Sequence, residues 1–418
     1  MILFALLQRL FALGSVALFV LGGWLAWSWY DAERQAEALG LADPSETRLW
    51  WAGALLLFGL LGRVPMLLLL GRGGKRAEAR RAARSFTVDG ADGARLHVEQ
   101  EGAEEGPVLV FTHGWGLSAR MWAEARRDLG ARYGLVFWDL PGSGRSGRPP
   151  AGYSIEGFAE DLHAVVDSLP PHRPVVLVGH SIGGMTTLTL CARRPELLNR
   201  RVVAIALMNT THTNPLTTMV LAGLFTRLQP LVEAACRLEP LVSPVTWLMN
   251  WQAYLSGATH LAARLVGFGA RPTREQLDRI SRLPTKTSPA VQARGNLAMI
   301  QWSVTERLAR IDVPALVFVG GRDLITKDHA GEDIASALPQ ARLVRVGDAG
   351  HMGPVERADV YAEQLTDFVG FVELLRSRAP APGRSFLSPE PALAPARPDA
   401  DADPSSPAGP ADGAARGA

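Results

Sequence analysis

The feature that most constrains this chain is Gly179-His180-Ser181-Ile182-Gly183, followed by Gly184. It lies between the apolar run Val175-Val176-Leu177-Val178 and a helical pattern. A serine between a strand and a helix must sit on a very tight turn. The flanking glycines have no Cβ, so they permit that turn and a close approach to neighbouring strands. The turn pushes the Ser181 hydroxyl into a site, where the N-terminus of the following helix faces any negative charge that develops.

From Phe86 to about Ser377 short apolar runs alternate with amphipathic stretches. Pro107–His113, Gly134–Leu140, Pro174–Gly179, Val202–Asn209 and Pro314–Gly320 have strand length and β-branched or aromatic enrichment. Between most of them, Ala119–Leu129, Ile155–Leu169 and Gly184–Arg194 carry helical patterns. Such alternation predicts an α/β fold with a parallel sheet covered on both faces. Chemistry in such sheets gathers at the carboxyl ends of the strands, so the residues just after each run are the ones to inspect. The alternation stops between Thr210 and Arg310, where apolar helices are interrupted by Pro215, Pro230, Pro240, Pro244 and Pro272. An insertion of this length predicts a lid, about residues 211–308.

A serine hydroxyl is a weak nucleophile at its free pKa and needs a base, which needs an orienting acid. Four histidines follow Ser181: His212, His260, His329 and His351. His351 comes after the strand-like Arg342–Val346 through Gly347-Asp348-Ala349-Gly350 and is the expected base. His212 and His260 fall in the lid, and His329 opens a helix. The acid should leave an earlier strand, as Asp323 does after Leu316-Val317-Phe318-Val319 and Gly320-Gly321-Arg322. Its rival Asp348 shares the His351 loop and reads as a turn residue. The position after Val202–Met208 holds Asn209, which has no carboxylate. An oxyanion would need backbone donors. His113-Gly114-Trp115-Gly116 can offer the Trp115 N–H beside the Ile182 N–H, with the indole walling the pocket. His113, Gly114, His180 and Met352, flanking these residues, are expected to contact substrate. Asp139-Leu140-Pro141-Gly142-Ser143-Gly144-Arg145-Ser146 has the glycines of a phosphate loop without a G-K-[ST] ending. A rigid turn with Asp139 capping backbone amides is expected there.

Apolar residues make up 47% and charged residues 20%, with a net charge of +2 from 43 basic and 41 acidic side chains. The chain is too apolar for a disordered one and has no field to draw in nucleic acid. Cys191 and Cys236 are too few for a disulfide framework or a zinc cluster, and no metal or organic cofactor is expected. The excess apolarity sits at the front. Leu10–Tyr30 carries no charge and ends in Trp24, Trp27, Trp29 and Tyr30; Leu49–Leu70 is apolar except for Arg63, which is expected to snorkel toward headgroups. The connector Asp31–Arg48 holds five acids and two bases, whereas Arg72, Lys75, Arg76, Arg80, Arg81 and Arg84 follow with only Glu78 against them. Residues 1–85 therefore read as a two-helix transmembrane hairpin, with spans about 10–30 and 49–70. The positive-inside rule puts the rest of the chain in the cytoplasm, at a bacterial inner membrane. A cleaved signal peptide fits less well, because no A-x-A site follows the first run and a second run comes after it. Residues 377–418, with nine prolines from Ala379 onward, read as a disordered tail.

Five motifs in order, HGWG, DLPGSGRS, GHSIGG, VGGRD and GDAGH, resemble the α/β-hydrolase superfamily over about residues 86–376. The resemblance is greatest to its serine esterase and lipase branch, including membrane-anchored monoacylglycerol-lipase-like members. It implies an eight-stranded, mostly parallel sheet with a helical lid after the sixth strand. It also implies a triad of Ser181, Asp323 and His351, with Trp115 and Ile182 as oxyanion donors. Haloalkane dehalogenases and epoxide hydrolases use an aspartate nucleophile, so Ser181 argues against both. The expected function is hydrolysis of small apolar or lipid-like esters through an acyl-enzyme, with membrane lipids around the hairpin. The same triad also serves thioester hydrolysis, acyl transfer, C–C bond hydrolysis and cofactor-free haloperoxidation. A non-catalytic membrane scaffold would more often have lost a triad member.

Overall fold

The computed structural model describes residues 2–74 and 82–378. Most of the basic segment, Lys75–Arg81, and the tail from residue 379 lie outside the described residues. Eight strands form one sheet: β1 (Arg84–Asp89), β2 (Arg95–Gly102), β3 (Val108–Thr112), β4 (Gly134–Trp138), β5 (Val175–His180), β6 (Val202–Met208), β7 (Ala315–Gly320) and β8 (Ala341–Val346). Their order is β1-β2-β4-β3-β5-β6-β7-β8. Only β2 runs against its neighbours; the six strands β3 to β8 pair in parallel. This is the eight-stranded, mostly parallel sheet that the family resemblance implies. The central strands are buried on both faces. Leu109 and Phe111 pack with Phe137 and Val178 on one side, while Val108 and Val110 pack with Val136 and Leu177 on the other. That is the period of two that an extended chain imposes.

Among the described residues, three helices precede the sheet: α1 (Ile2–Leu39), α2 (Thr47–Leu61) and α3 (Arg63–Leu70). Flanking helices α4 (Ala123–Leu129), α5 (Ile155–Asp167) and α6 (Ile182–Arg193) follow β3, β4 and β5. Between β6 and β7 a long insertion, the segment expected to be a lid, contributes α7 (Ala222–Arg227), α8 (Gln229–Leu255), α9 (Ala258–Ala262), α10 (Arg274–Arg282) and α11 (Pro289–Ile300). Helices α12 (Asp328–Ala337), α13 (Gly353–Glu356) and α14 (Ala358–Arg378) complete the fold. The prolines do not divide the lid as expected, since α8 runs unbroken through Pro240 and Pro244. A mid-helix proline costs about 3 kcal/mol in isolation. Here α8 packs along α1 and α11, and that tertiary burial outweighs local propensity.

Helix α1 meets the length and hydropathy needed to cross a membrane; α2 and α3 do so only as a pair, bent by 66° at Gly62. Phe19 packs on Gly59 and Gly22 on Leu55, so α1 and α2 lie antiparallel. The first turns of α1 do not stand apart from the lid. Arg9 Nη2 donates to the buried Glu239 carboxylate of α8 at 2.5 Å, and Gln252 Nε2 to Ser15 Oγ at 2.9 Å. Arg63 does not snorkel: its Nη1 donates to Tyr254 Oη at 2.8 Å, and that hydroxyl donates to Asp278 Oδ1 at 2.9 Å. A guanidinium has five donors in a rigid fork, and a fixed acceptor network satisfies them better than a loose headgroup layer. Arg271 Nη2 donates to the Leu69 carbonyl at 2.7 Å, closing the same seam from the lid side.

Candidate active site

Ser181 follows β5, Asp323 follows β7 and His351 follows β8, and the last two side chains meet. Ser181 joins β5 to α6 at φ 55°, ψ −120°. For a residue with a Cβ this backbone costs on the order of 1–3 kcal/mol, and the surroundings must hold it. Ser181 N donates to Met208 O at 3.0 Å, and Ser181 O accepts from Thr210 Oγ1 at 2.6 Å and Gly184 N at 2.9 Å. The turn closes because Gly183 lies against the Thr112 carbonyl, where any Cβ would overlap it.

Asp323 is fully buried. Its Oδ1 accepts from the N–H groups of Ile325 (2.8 Å) and Thr326 (2.9 Å). Its Oδ2 accepts from Thr326 Oγ1 (2.7 Å), Asn209 Nδ2 (3.1 Å) and His351 Nδ1 (2.9 Å). Burial pushes this carboxyl up, but the charge and hydrogen bond of His351 and the donors of Thr326 outweigh it and hold it below its ordinary value. With a carboxylate on Nδ1, His351 carries its proton there and presents Nε2 as an acceptor. Among the described residues His351 Nε2 is buried with no hydrogen-bond partner, and no hydrogen bond joins it to Ser181. The His180 ring, next to Ser181 in the chain, lies 4.9 Å from the His351 ring. Catalytic hydrogen bonds commonly tighten only around substrate. Asp348 turns away and pairs with Arg357 at the surface.

Of the expected substrate contacts, His113, His180 and Met352 are buried. His180 Nε2 donates to the His351 carbonyl at 2.8 Å, and burial, reinforced by His351, pushes its pKa down to about 3. His113 Nε2 accepts from Leu140 N at 3.0 Å, so its Nδ1 donates to Gly114 O at 2.8 Å; burial lowers its pKa despite nearby Asp139. Burial keeps both histidines neutral; His113 spends both ring nitrogens on backbone groups, whereas His180 spends Nε2 and its buried Nδ1 has no partner among the described residues. Gly114 packs directly on His180, and Met352 is buried with its N–H on the Gly267 carbonyl at 2.7 Å. The Trp115 indole is likewise not a wall. Its Nε1 donates to Gln292 O at 2.9 Å, and its ring packs on Tyr153, Phe158 and the bare face of Gly295. The Trp115 backbone N–H has no backbone acceptor among the described residues, and Ile182, first in α6, has none within its helix.

Asp139 caps the amides of Ala119 (2.8 Å) and Arg145 (2.9 Å). His212 binds Thr305 Oγ1 at 2.8 Å, His260 binds Asp278 Oδ1 at 3.1 Å, and His329 lies in the first turn of α12. Two supports lacked a sequence assignment. Asn209, at φ 49°, donates to Asp323 and to the Gly350 carbonyl, each at 3.1 Å, and accepts from Tyr361 Oη at 2.6 Å. Its place at the end of β6 was the one available signal. Glu356 accepts from Gly350 N (2.5 Å), Gly269 N (3.1 Å) and Ala270 N (2.7 Å), tying the His351 loop to the lid. Burial pushes its pKa up against those three donors. Nothing in its local sequence marked it.

The sequence pattern of the alpha/beta hydrolase fold matches residues 107–358. A protein named as a carbamate hydrolase, RutD of Pseudomonas savastanoi pv. phaseolicola, is 28% identical over 266 residues, 63% of this chain and 94% of its own. The esterase RhEst1 from Rhodococcus sp. ECU1013 superposes with a TM-score of 0.55 at 21% identity, over 69% of this chain and 99% of that one. A membrane phospholipase A, described as a bacterial virulence factor, does so with 0.54 at 22%, over 78% and 94%. These two structures share the fold.

Proposed function

We propose that this chain, which belongs to the alpha/beta hydrolase fold family, is a serine hydrolase that cleaves carboxylic esters of apolar or lipid-like acyl groups. The observation that carries this reading is His351, bound by Asp323 through Nδ1 at 2.9 Å with Nε2 unspent, near a serine on a strained turn. Ser181 Oγ attacks the ester carbonyl as its proton passes to His351 Nε2. The N–H groups of Trp115 and Ile182 donate to the oxyanion. His351 then gives the proton to the departing alcohol, and Ser181 remains acylated. Water attacks the acyl-enzyme with His351 again as base, releasing the acid and restoring Ser181. Asp323 stays ionised and holds the imidazole throughout. The relative named as a carbamate hydrolase supports attack on an acyl carbonyl. The apolar preference is supported by the apolar character of the β6–β7 insertion, whose Leu216, Met219 and Phe225 are buried in the hydrophobic core.

The same reading takes α1 and the α2–α3 pair as membrane helices, with the hydrolase on the cytoplasmic side. Exposed Trp24, Trp27, Tyr30, Trp50 and Trp51 at the connector end suit the headgroup boundary, and the basic flank suits the inner face. Detergent-solubilised protein assayed with p-nitrophenyl esters from acetyl to palmitoyl tests the chemistry. Turnover and fluorophosphonate labelling that vanish in Ser181→Ala support it; a folded wild type that does neither overturns it. Alkaline phosphatase fused after Arg84 is expected to be inactive in a bacterial host, and strong activity would reverse the topology.

A further inference from the structure

Between the first turns of α1 and the lid helices α8 and α11 lies a cavity of about 80 Å³, room for several heavy atoms. Its polar side is unusual for a helix seam. The buried Glu239 carboxylate accepts from Arg9 Nη2 at 2.5 Å and Thr246 Oγ1 at 2.7 Å. A carboxylate has about four acceptor sites, so it is only half filled. Asn296 of α11 faces the same cavity, is 7% exposed, and its Oδ1 has no partner among the described residues. An unpaired buried carbonyl costs about 1–3 kcal/mol. Two acceptors aimed into one space call for a ligand with hydroxyl donors. Charge narrows the class further. Arg9 already neutralises Glu239, so neither a cation nor an anion gains a net attraction there. Leu6 of α1, beside the cavity, is exposed with Leu10 and Leu13 on the outer face of the helix, which offers a path for an apolar chain.

We propose that this seam binds the neutral, hydroxylated head of an amphiphile, with Asn296 and Glu239 accepting from its hydroxyls and α1 forming one wall. The site is separate from Ser181, yet α11 links the two: the Gln292 carbonyl that borders the cavity region accepts the Trp115 indole N–H at 2.9 Å. An occupant therefore bears on the helix that anchors the oxyanion loop.

Cys236 provides the test, because it borders the cavity and is partly exposed while the other thiol, Cys191, is buried. Full-length Ser181→Ala protein, which cannot consume an ester, is held in an amine-oxide detergent, since a sugar detergent would itself offer hydroxyls. Maleimide alkylation of Cys236 is followed by mass spectrometry at pH 8.5, because burial raises this thiol's pKa. Decanoylglycerol is expected to slow alkylation at least fivefold, and methyl decanoate, with the same acyl chain and no hydroxyl, less than twofold. Asn296→Leu, close to isosteric, should abolish the protection while keeping the unliganded rate. Glu239→Gln gives a second variant should Asn296→Leu fail to fold, and should weaken protection. Equal protection by both esters, no protection by either, or protection that survives in both variants overturns the site.

Discussion

The strand-end cluster and the helical cover above it are held by different means. Around Ser181, Asp323 and His351 the ties run mostly to backbone. Ser181 is fixed by Met208 and Gly184, Asp323 by the amides of Ile325 and Thr326, and the His351 loop by His180 and Glu356. In the cover, side chain meets side chain across helices far apart in sequence: Arg9 with Glu239, Ser15 with Gln252, Arg63 with Tyr254. A backbone-held group cannot move without moving a strand, whereas a side-chain pair can exchange partners. The first arrangement suits a reacting centre that must be placed within fractions of an ångström. The second leaves the helical cover able to shift its side-chain partners.

The largest effect expected from this comparison lies in the acid. Asp323→Asn should lower kcat by roughly 10⁴, because an amide no longer fixes the imidazole tautomer. Asp348→Asn, whose partner is Arg357 at the surface, should stay within about twofold. The reverse ranking would break the assignment of the cluster. Asn209→Leu comes next. It removes the hydrogen bonds to Asp323 and Gly350, and a bond to a charged group is worth about 1.5–3 kcal/mol, so kcat should fall roughly ten- to a hundredfold. KM should hold, since Asn209 supports the acid and the loop and does not touch substrate. A KM-only effect would make Asn209 part of the pocket.

The same difference decides what could be read from the sequence. Glycines, strand ends and a serine between them are local signals with backbone causes, so the positions of Ser181, Asp323 and His351 and strands β3 to β8 were legible. Strands β1 and β2 were not read individually, because as outer strands they show only partial burial. Histidines 113 and 180, expected to contact substrate, turn ring nitrogens to backbone groups, because a sequence shows proximity in the motif but not which way a ring turns. Arg63 was misread because its partner, Tyr254, lies 191 residues away. The uninterrupted α8 was missed because packing against α1 outweighed two prolines. The Arg63 and α8 cases both turn on contacts between helices far apart in sequence.

Arg63→Met tests the cover directly. It leaves Tyr254 and Asp278 without their cation, and a lost charged hydrogen bond in a half-buried setting is worth about 1–3 kcal/mol. For a domain of this size that lowers Tm by roughly 2–4 °C per kcal/mol. Turnover per folded molecule on p-nitrophenyl acetate should be unchanged. A loss of turnover at unchanged Tm would mean that the seam acts on the reacting centre, and the contrast between the two regions would fail.

The smallest effect expected lies on the sheet side, where burial has a cost. Asp161 of α5 is buried with its Oδ1 accepting the Ala91 N–H at 3.0 Å, against the bare Cα of Gly90. Burial, with Asp92 and Glu160 nearby, pushes its pKa from 3.8 up to about 7 despite that hydrogen bond. The folded protein therefore keeps a proton that the unfolded chain has released between about pH 4 and 7, and stability falls as pH rises through that window. Asn keeps the acceptor and cannot ionise. Asp161→Asn should leave Tm nearly unchanged at pH 4 and raise it by a few degrees at pH 8, with activity unaffected. A gain of equal size at both pH values would assign the effect to packing alone. A gain confined to pH 8 would show that backbone-supported burial, which places the reacting groups so firmly, also strands a carboxylate where its charge is unwelcome.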